Sequence, residues 1–231
     1  LLECYNKANK KPEKNITMGF KRFLNHEFSI NRRKSALSFK KGFNYKMQNL
    51  PNFSKKVDES IDLIDLINIK TRKIEGSIIK VNCHPVSAPK NTMGADYIGK
   101  IKNNLKKRSN VIFFLQGFCG DIRPKMIKQD KTIKDYFITF LVGKRFRKPN
   151  AKDSKEISNS VVRSVVNAEK EKYSFSISNI GDAREIKYGL KLEDGSIFKK
   201  KLNILVWNWG KLIIIFLNGE ILSGYNVSQH K

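Results

Sequence analysis

Three neighbouring stretches decide the fold of this chain. They are Ser77-Ile78-Ile79-Lys80-Val81-Asn82-Cys83, then Ala95 to Lys107, then Val111-Ile112-Phe113-Phe114-Leu115. The first is a short apolar run that reads as a strand. The second places Tyr97, Ile98, Ile101 and Leu105 on one helical face, with polar residues opposite. The third is a five-residue apolar run, the pattern of a strand buried on both faces. Strand, helix and strand in that order predict a βαβ unit with a right-handed crossover. Upstream, Val57 to Ile69 is rich in β-branched residues and Glu75-Gly76 punctuates it, so it pairs with the first stretch as a hairpin. Ile16 to Phe23 alternates like a strand, and Ile157 to Ala168 carries a helical stripe of Ile157, Val161, Val162, Val165 and Val166. Leu202 to Leu217 reads as two strands joined at Asn208-Trp209-Gly210. Residues 1–10 read as the end of a helix closed at Pro12. The Lys-rich stretch from Asn31-Arg32-Arg33 to Pro51 and the basic stretch Phe140 to Lys155 read as loops. The fold class expected is α/β: a mixed central β-sheet flanked by helices, in a single domain.

The chain has 231 residues, with 46 Lys+Arg against 21 Asp+Glu and a formal net charge of +25. Such a charge invites a nucleic-acid reading. Its makeup argues otherwise. Lys accounts for 36 and Arg for 10, with 26 Ile and 22 Asn alongside. All of Lys, Ile and Asn have AT-rich codons, so biased codon usage and a solvated surface explain the charge. Readers of phosphates and bases lean on the bidentate fork of Arg. The apolar run Leu212 to Leu217 is six residues long, whereas a membrane-spanning helix needs about 20. Cys4, Cys83 and Cys119 form no CxxC pair, which fits a reducing, cytoplasmic setting better than a disulfide framework. The chain opens on Leu1 in what reads as mid-helix, so we expect further sequence upstream.

Three places carry the residues that could do chemistry. His84 directly follows a predicted strand and precedes Pro85, and strand ends are where α/β sheets place functional side chains. Asp121 and Arg123 lie in the turn Gln116-Gly117-Phe118-Cys119-Gly120-Asp121-Ile122-Arg123-Pro124, after the buried run. Glu220 follows Asn218-Gly219 beyond the apolar run ending at Leu217. Each has a plain structural alternative: a histidine satisfied at a sheet edge, a tight turn, a glutamate in solvent. If the strand ends share one edge, His84 and Glu220 together could hold a divalent metal, although a catalytic zinc needs about three protein ligands plus water.

Taken together, these motifs resemble the N-terminal catalytic domain of the neutral/alkaline non-lysosomal ceramidase family. The matching elements run in order: Asn31-Arg32-Arg33, Val57-Asp58, Asn82-Cys83-His84-Pro85, Gly94-Ala95-Asp96-Tyr97-Ile98-Gly99, Phe114-Leu115-Gln116-Gly117 through Pro124, and Phe216-Leu217-Asn218-Gly219-Glu220. The resemblance implies a zinc-dependent amidohydrolase that cleaves the amide of N-acyl-sphingoid lipids. It implies that His84 and Glu220 are zinc ligands. The family's other histidine and its tyrosine ligand would lie upstream of Leu1 and beyond Lys231, so the chain would be an internal piece of the domain, with little activity alone. One position departs from the family: Arg123 stands where ceramidases carry a catalytic serine. A guanidinium cannot serve as a hydroxyl nucleophile. It can bind a carboxylate or phosphate, or stabilise an oxyanion. That points to an amide or ester other than ceramide itself. Partners expected are a small-molecule or lipid substrate and an anionic membrane surface, which a basic chain would approach, with no nucleic acid.

The competing reading is a basic nucleic-acid-binding protein, supported by residues 99–149 with 14 Lys+Arg and 3 acids. No helix-turn-helix, RRM or zinc-finger signature accompanies it.

Overall fold

The structure, a computed structural model, describes residues 15–38, 44–109, 111–168, 173, 175–177, 183–191 and 197–224. The helix expected over residues 1–10, along with Cys4 and His230, lies outside the described residues.

The hairpin expected around Glu75-Gly76 forms as β4 (Ser60–Asn68) and β5 (Ile74–Val81), paired antiparallel with Leu63 opposite Ile79. The βαβ unit forms too: α1 (Asp96–Asn104) leads into β6 (Val111–Gln116), parallel to β5 with Ile79 opposite Phe114. β1 (Ile16–Leu24) pairs antiparallel with β4, and β8 (Phe175–Ile177) with β1, giving a five-stranded mixed sheet in the order β6-β5-β4-β1-β8. The fold is therefore α/β.

Period-2 alternation sends each strand's residues to two different cores. On one face Ile61, Leu63, Ile79 and Val81 pack with Tyr97 and Ile101 of α1, with Leu105 just past its end, and with Ile157, Val161 and Val165 of α3 (Asp153–Ala168). On the other, Met18, Phe20 and Ile64 meet Trp209, with Trp207, Leu212 and Ile214 packed alongside. Those last residues belong to β10 (Ile197–Trp209) and β11 (Leu212–Leu217), which form a second sheet with β9 (Ala183–Lys191). The helices α1 and α3 thus flank one face of the central sheet, and a three-stranded sheet covers the other. No helix among the described residues is long and apolar enough to cross a membrane.

Three local expectations need correction. The stretch read as loop up to Pro51 contains β2 (Ser29–Ser38) and β3 (Asn44–Asn52), which with β7 (Ile122–Pro124) make a sheet in the order β3-β2-β7. β3 is mostly solvent-exposed, so backbone pairing holds it and no apolar alternation marks it. β6 is an edge strand rather than a doubly buried one: Val111 is 46% and Phe113 56% exposed. The start of the stretch read as a long loop, Phe140 to Val142, is the end of α2 (Ile133–Val142), and its end belongs to α3. Thr132 caps α2 by accepting from the Asp135 N–H, and Gly143, at φ 95°, closes it with its N–H on Thr139 O.

Candidate active site

His84 sits just past the end of β5, and the six quoted sequence elements gather round it. Asn82 Nδ2 donates to Ser60 O at 3.1 Å and to Asp58 O at 3.3 Å, fixing the strand end against β4. The Tyr97 hydroxyl donates to Cys83 O at 2.6 Å. Asp96 accepts from the N–H groups of Ser87 at 2.8 Å and Ala88 at 2.9 Å, tying the segment after His84 to the start of α1. Asp96 holds this position at φ 51°, an uncommon conformation for a non-glycine residue.

The turn after β6 is anchored on both sides. Asn31 Nδ2 donates to Asp121 Oδ2 at 2.7 Å, Arg32 N–H to Asp121 O at 2.7 Å, and Arg32 Nη2 to Gly120 O at 2.9 Å. On the far side Gly120 N–H donates to Ile221 O at 2.9 Å and Ser223 N–H to Asp121 Oδ1 at 2.8 Å. Gly117 is required because a Cβ there would lie 1.7 Å from Asn82 Oδ1. The result brings Glu220 over His84: Nε2 to Oε2 is 3.3 Å.

The two side chains differ in exposure. His84 is buried, while the Glu220 side chain is 67% exposed. His84 Nε2 is enclosed and has no aligned hydrogen-bond partner, although Glu220 is close. Burial and the nearby Arg32 guanidinium push the His84 pKa down, against the pull of Glu220. Its Nδ1 faces Gln116 Nε2 at 3.3 Å and Cys119 Sγ at 3.8 Å. As placed, Gln116 Nε2 donates to Cys119 Sγ at 2.7 Å. Only with the carboxamide turned over would its oxygen accept from Nδ1–H and leave the lone pair on Nε2.

Asp121 is fully buried and saturated: besides Asn31 and Ser223 it meets Lys55 Nζ at 3.4 Å. Burial raises its pKa, but these donors win and hold it below the usual carboxylate value. It acts as a knot that positions the turn. Arg123 is half-buried with its guanidinium 4.2 Å from the Phe146 ring centroid, and it has no carboxylate partner among the described residues. Burial first, then the charge of Arg32, lowers its pKa. Gln116, Cys119, Arg32 and Ser223 were not singled out as site residues from sequence. Arg32, Gln116 and Cys119 lie inside the stretches quoted above, but nothing in the sequence marks Ser223, whose backbone N–H is the donor to Asp121.

Two clefts lie nearby. One of about 330 Å³ has Asn31 and Lys55, both partners of Asp121, in its wall. One of about 240 Å³ runs between Phe28, Met126 and Ile157. His84 and Glu220 line neither.

The spacing of the pair is one that two ligands of a zinc ion can share and one that an ordinary His–Glu ion pair also has. Zn–N and Zn–O bonds of ~2.0–2.2 Å at tetrahedral angles place two ligand atoms ~3.3–3.5 Å apart, and His84 Nε2 and Glu220 Oε2 stand at 3.3 Å. The set is incomplete: among the described residues no three His, Cys, Asp or Glu side chains come together to hold a metal. No protein-family model matches the chain, and no curated protein matches it.

Proposed function

We propose that this chain forms part of a zinc-dependent amidohydrolase site resembling that of the neutral/alkaline ceramidases, acting on the amide or ester of an N-acyl lipid or a related substrate. The observation that carries the reading is convergence. Six elements spread from Asn31 to Glu220 meet at one end of the sheet, and they set a buried imidazole nitrogen 3.3 Å from a carboxylate oxygen.

A bound zinc ion would supply Lewis acidity and a water of lowered pKa. His84 Nε2 and Glu220 Oε2 are the atoms that would hold it. Gln116, with its carboxamide turned over, would keep the Nδ1 proton in place, and Asp121 fixes the turn that carries Gln116 and Cys119. Arg123 offers a guanidinium with no carboxylate partner, which suits a developing oxyanion or an anionic group on the substrate. With two ligands of the roughly three a catalytic site uses, residues 1–231 alone should hold zinc less tightly than a complete site, in a range that competition with a low-affinity chelator reads, and turn over little substrate.

The test is zinc retention by competition with a chromophoric chelator. His84→Ala and Glu220→Gln should each lose binding while keeping the parent circular dichroism. Equal retention by parent and both variants overturns the assignment.

The nucleic-acid reading draws less support. Five of the fourteen basic residues in 99–149 are committed to carboxylates: Arg108 to Asp65, Lys128 and Arg145 to Asp135, Lys144 to Asp130, and Arg147 to Asp153.

A further inference from the structure

Helix α2 wears its largest apolar side chains on the outside. Ile133, Tyr136, Phe137 and Phe140 are 89%, 61%, 62% and 85% exposed. At roughly 100° per residue all four fall within one arc of about 100°, so they form a single stripe. No residue of α2 is fully buried. An apolar stripe belongs against something.

Cations frame this stripe. Residues 125–149 contain eight Lys+Arg and two Asp. Both aspartates are already neutralised, Asp135 by Lys128 and Arg145, and Asp130 by Lys144. Lys131 and Lys134 at the start of the helix and Lys148 beyond its end are exposed and have no carboxylate partner among the described residues. The surplus charge is therefore all positive and borders the stripe at both ends.

We propose that α2 is an interfacial docking helix that seats the Ile133–Tyr136–Phe137–Phe140 stripe in an anionic lipid surface. Apolar and aromatic side chains enter the headgroup boundary while lysines reach anionic headgroups, the division of labour of surface-lying helices. A second copy of the chain is a poor occupant, because docking stripe to stripe would press two positive rims together. The inference stands whether or not the chain is a hydrolase.

The test is co-sedimentation of the 231-residue chain with phosphatidylcholine vesicles, with and without phosphatidylserine. Binding should need phosphatidylserine and weaken at high salt. Phe137→Asp with Phe140→Asp should reduce it about tenfold or more, and Lys131→Glu with Lys134→Glu should reduce it as well. Ile213→Asp with Ile215→Asp, at exposed apolar positions on β11, should leave it unchanged. Three results overturn the proposal. They are no sedimentation with phosphatidylserine vesicles, equal sedimentation of the Phe137/Phe140 variant and the parent, and a parent dimer in gel filtration that this variant abolishes.

Discussion

Gly120 and Glu220 are in direct backbone contact. A Cβ at position 120 would stand 2.6 Å from the Glu220 carbonyl oxygen and 3.1 Å from that of Ile221. The turn after β6 and the segment after β11 can meet only because no side chain separates them. Gly120→Ala must push the 220–223 segment away and strain the Asp121–Ser223 hydrogen bond. We expect a loss of about 1–3 kcal/mol in urea denaturation, together with weaker zinc binding. Gly224→Ala, which faces open space, should change stability by less than about 0.5 kcal/mol.

Gln116 is a positioning residue for His84. Gln116→Leu removes the side chain that faces Nδ1 at 3.3 Å and should weaken zinc binding by about 10–100-fold, as lost outer-shell partners do. Gln116→Glu keeps an acceptor at that place and should rescue much of the loss. Chelator competition reads both. Indistinguishable affinities for the parent and Gln116→Leu would remove Gln116 from the site.

At the opposite end of the sheet, Asp65 is fully buried and ion-paired with Arg108. It also accepts from the Ser77 hydroxyl at 2.7 Å and the Tyr173 hydroxyl at 2.9 Å. Arg108→Met would leave a buried carboxylate with hydroxyl donors but no cation. A destabilisation of about 3–5 kcal/mol is expected in urea. Asp65→Asn with Arg108→Met, which removes both charges, should recover part of it.

Stability should fall at both extremes of pH. Asp62, Asp121 and Asp153 are desolvated, yet Arg22 and Lys80, the Ser223 and Asn31 donors, and Arg147 respectively hold their pKa values below normal. A depressed folded pKa stabilises the fold above the unfolded value of ~3.9 and loses that stabilisation as pH falls through the folded value. At the alkaline end, burial raises Cys83 and Tyr97, and burial with Asp65 pushes Tyr173 up to about 12. A raised folded pKa stabilises below the unfolded value and is lost as pH climbs toward the folded one. The urea midpoint should be flat between about pH 7 and 8 and drop outside that range. The first loss on the acid side comes from His84, whose lowered folded pKa favours the unfolded chain below about pH 6.5. Asp62→Asn should soften the acid limb. A midpoint that kept rising below about pH 4 would contradict the assignment.

The parts of this fold most legible in sequence are those with contrast between two faces. Tyr97, Ile101 and Leu105 stand out against the polar residues of α1, and all three are buried. α2 offers no such contrast. Ile133, Tyr136, Phe137 and Phe140 point outward while Ile138, Leu141 and Val142 are half-buried, and only the caps at Thr132 and Gly143 mark its ends. β3 is invisible for the opposite reason: Asn44, Tyr45, Lys46 and Met47 are all exposed, and backbone pairing alone places them. β6 misled because an apolar run looks the same at a sheet edge as at its centre. At the candidate site, the strand-end argument pointed to His84 and Glu220, which do meet. The role of Ser223 depends on a backbone N–H, which every residue but proline possesses.

The hydrogen bond from Ser223 to Asp121 spans 102 positions of sequence. A ribosome delivers β5, α1 and the 117–123 turn long before it delivers the segment that closes over them. Until then the Asp121 carboxylate lacks the Ser223 donor that helps hold it charged, and His84 lacks its carboxylate neighbour. The central hairpin can form from local contacts, whereas the site must wait for a long loop to close. Assembly of the site is thus a late step for these residues: the His84–Glu220 pair cannot form until the segment after β11 has left the ribosome.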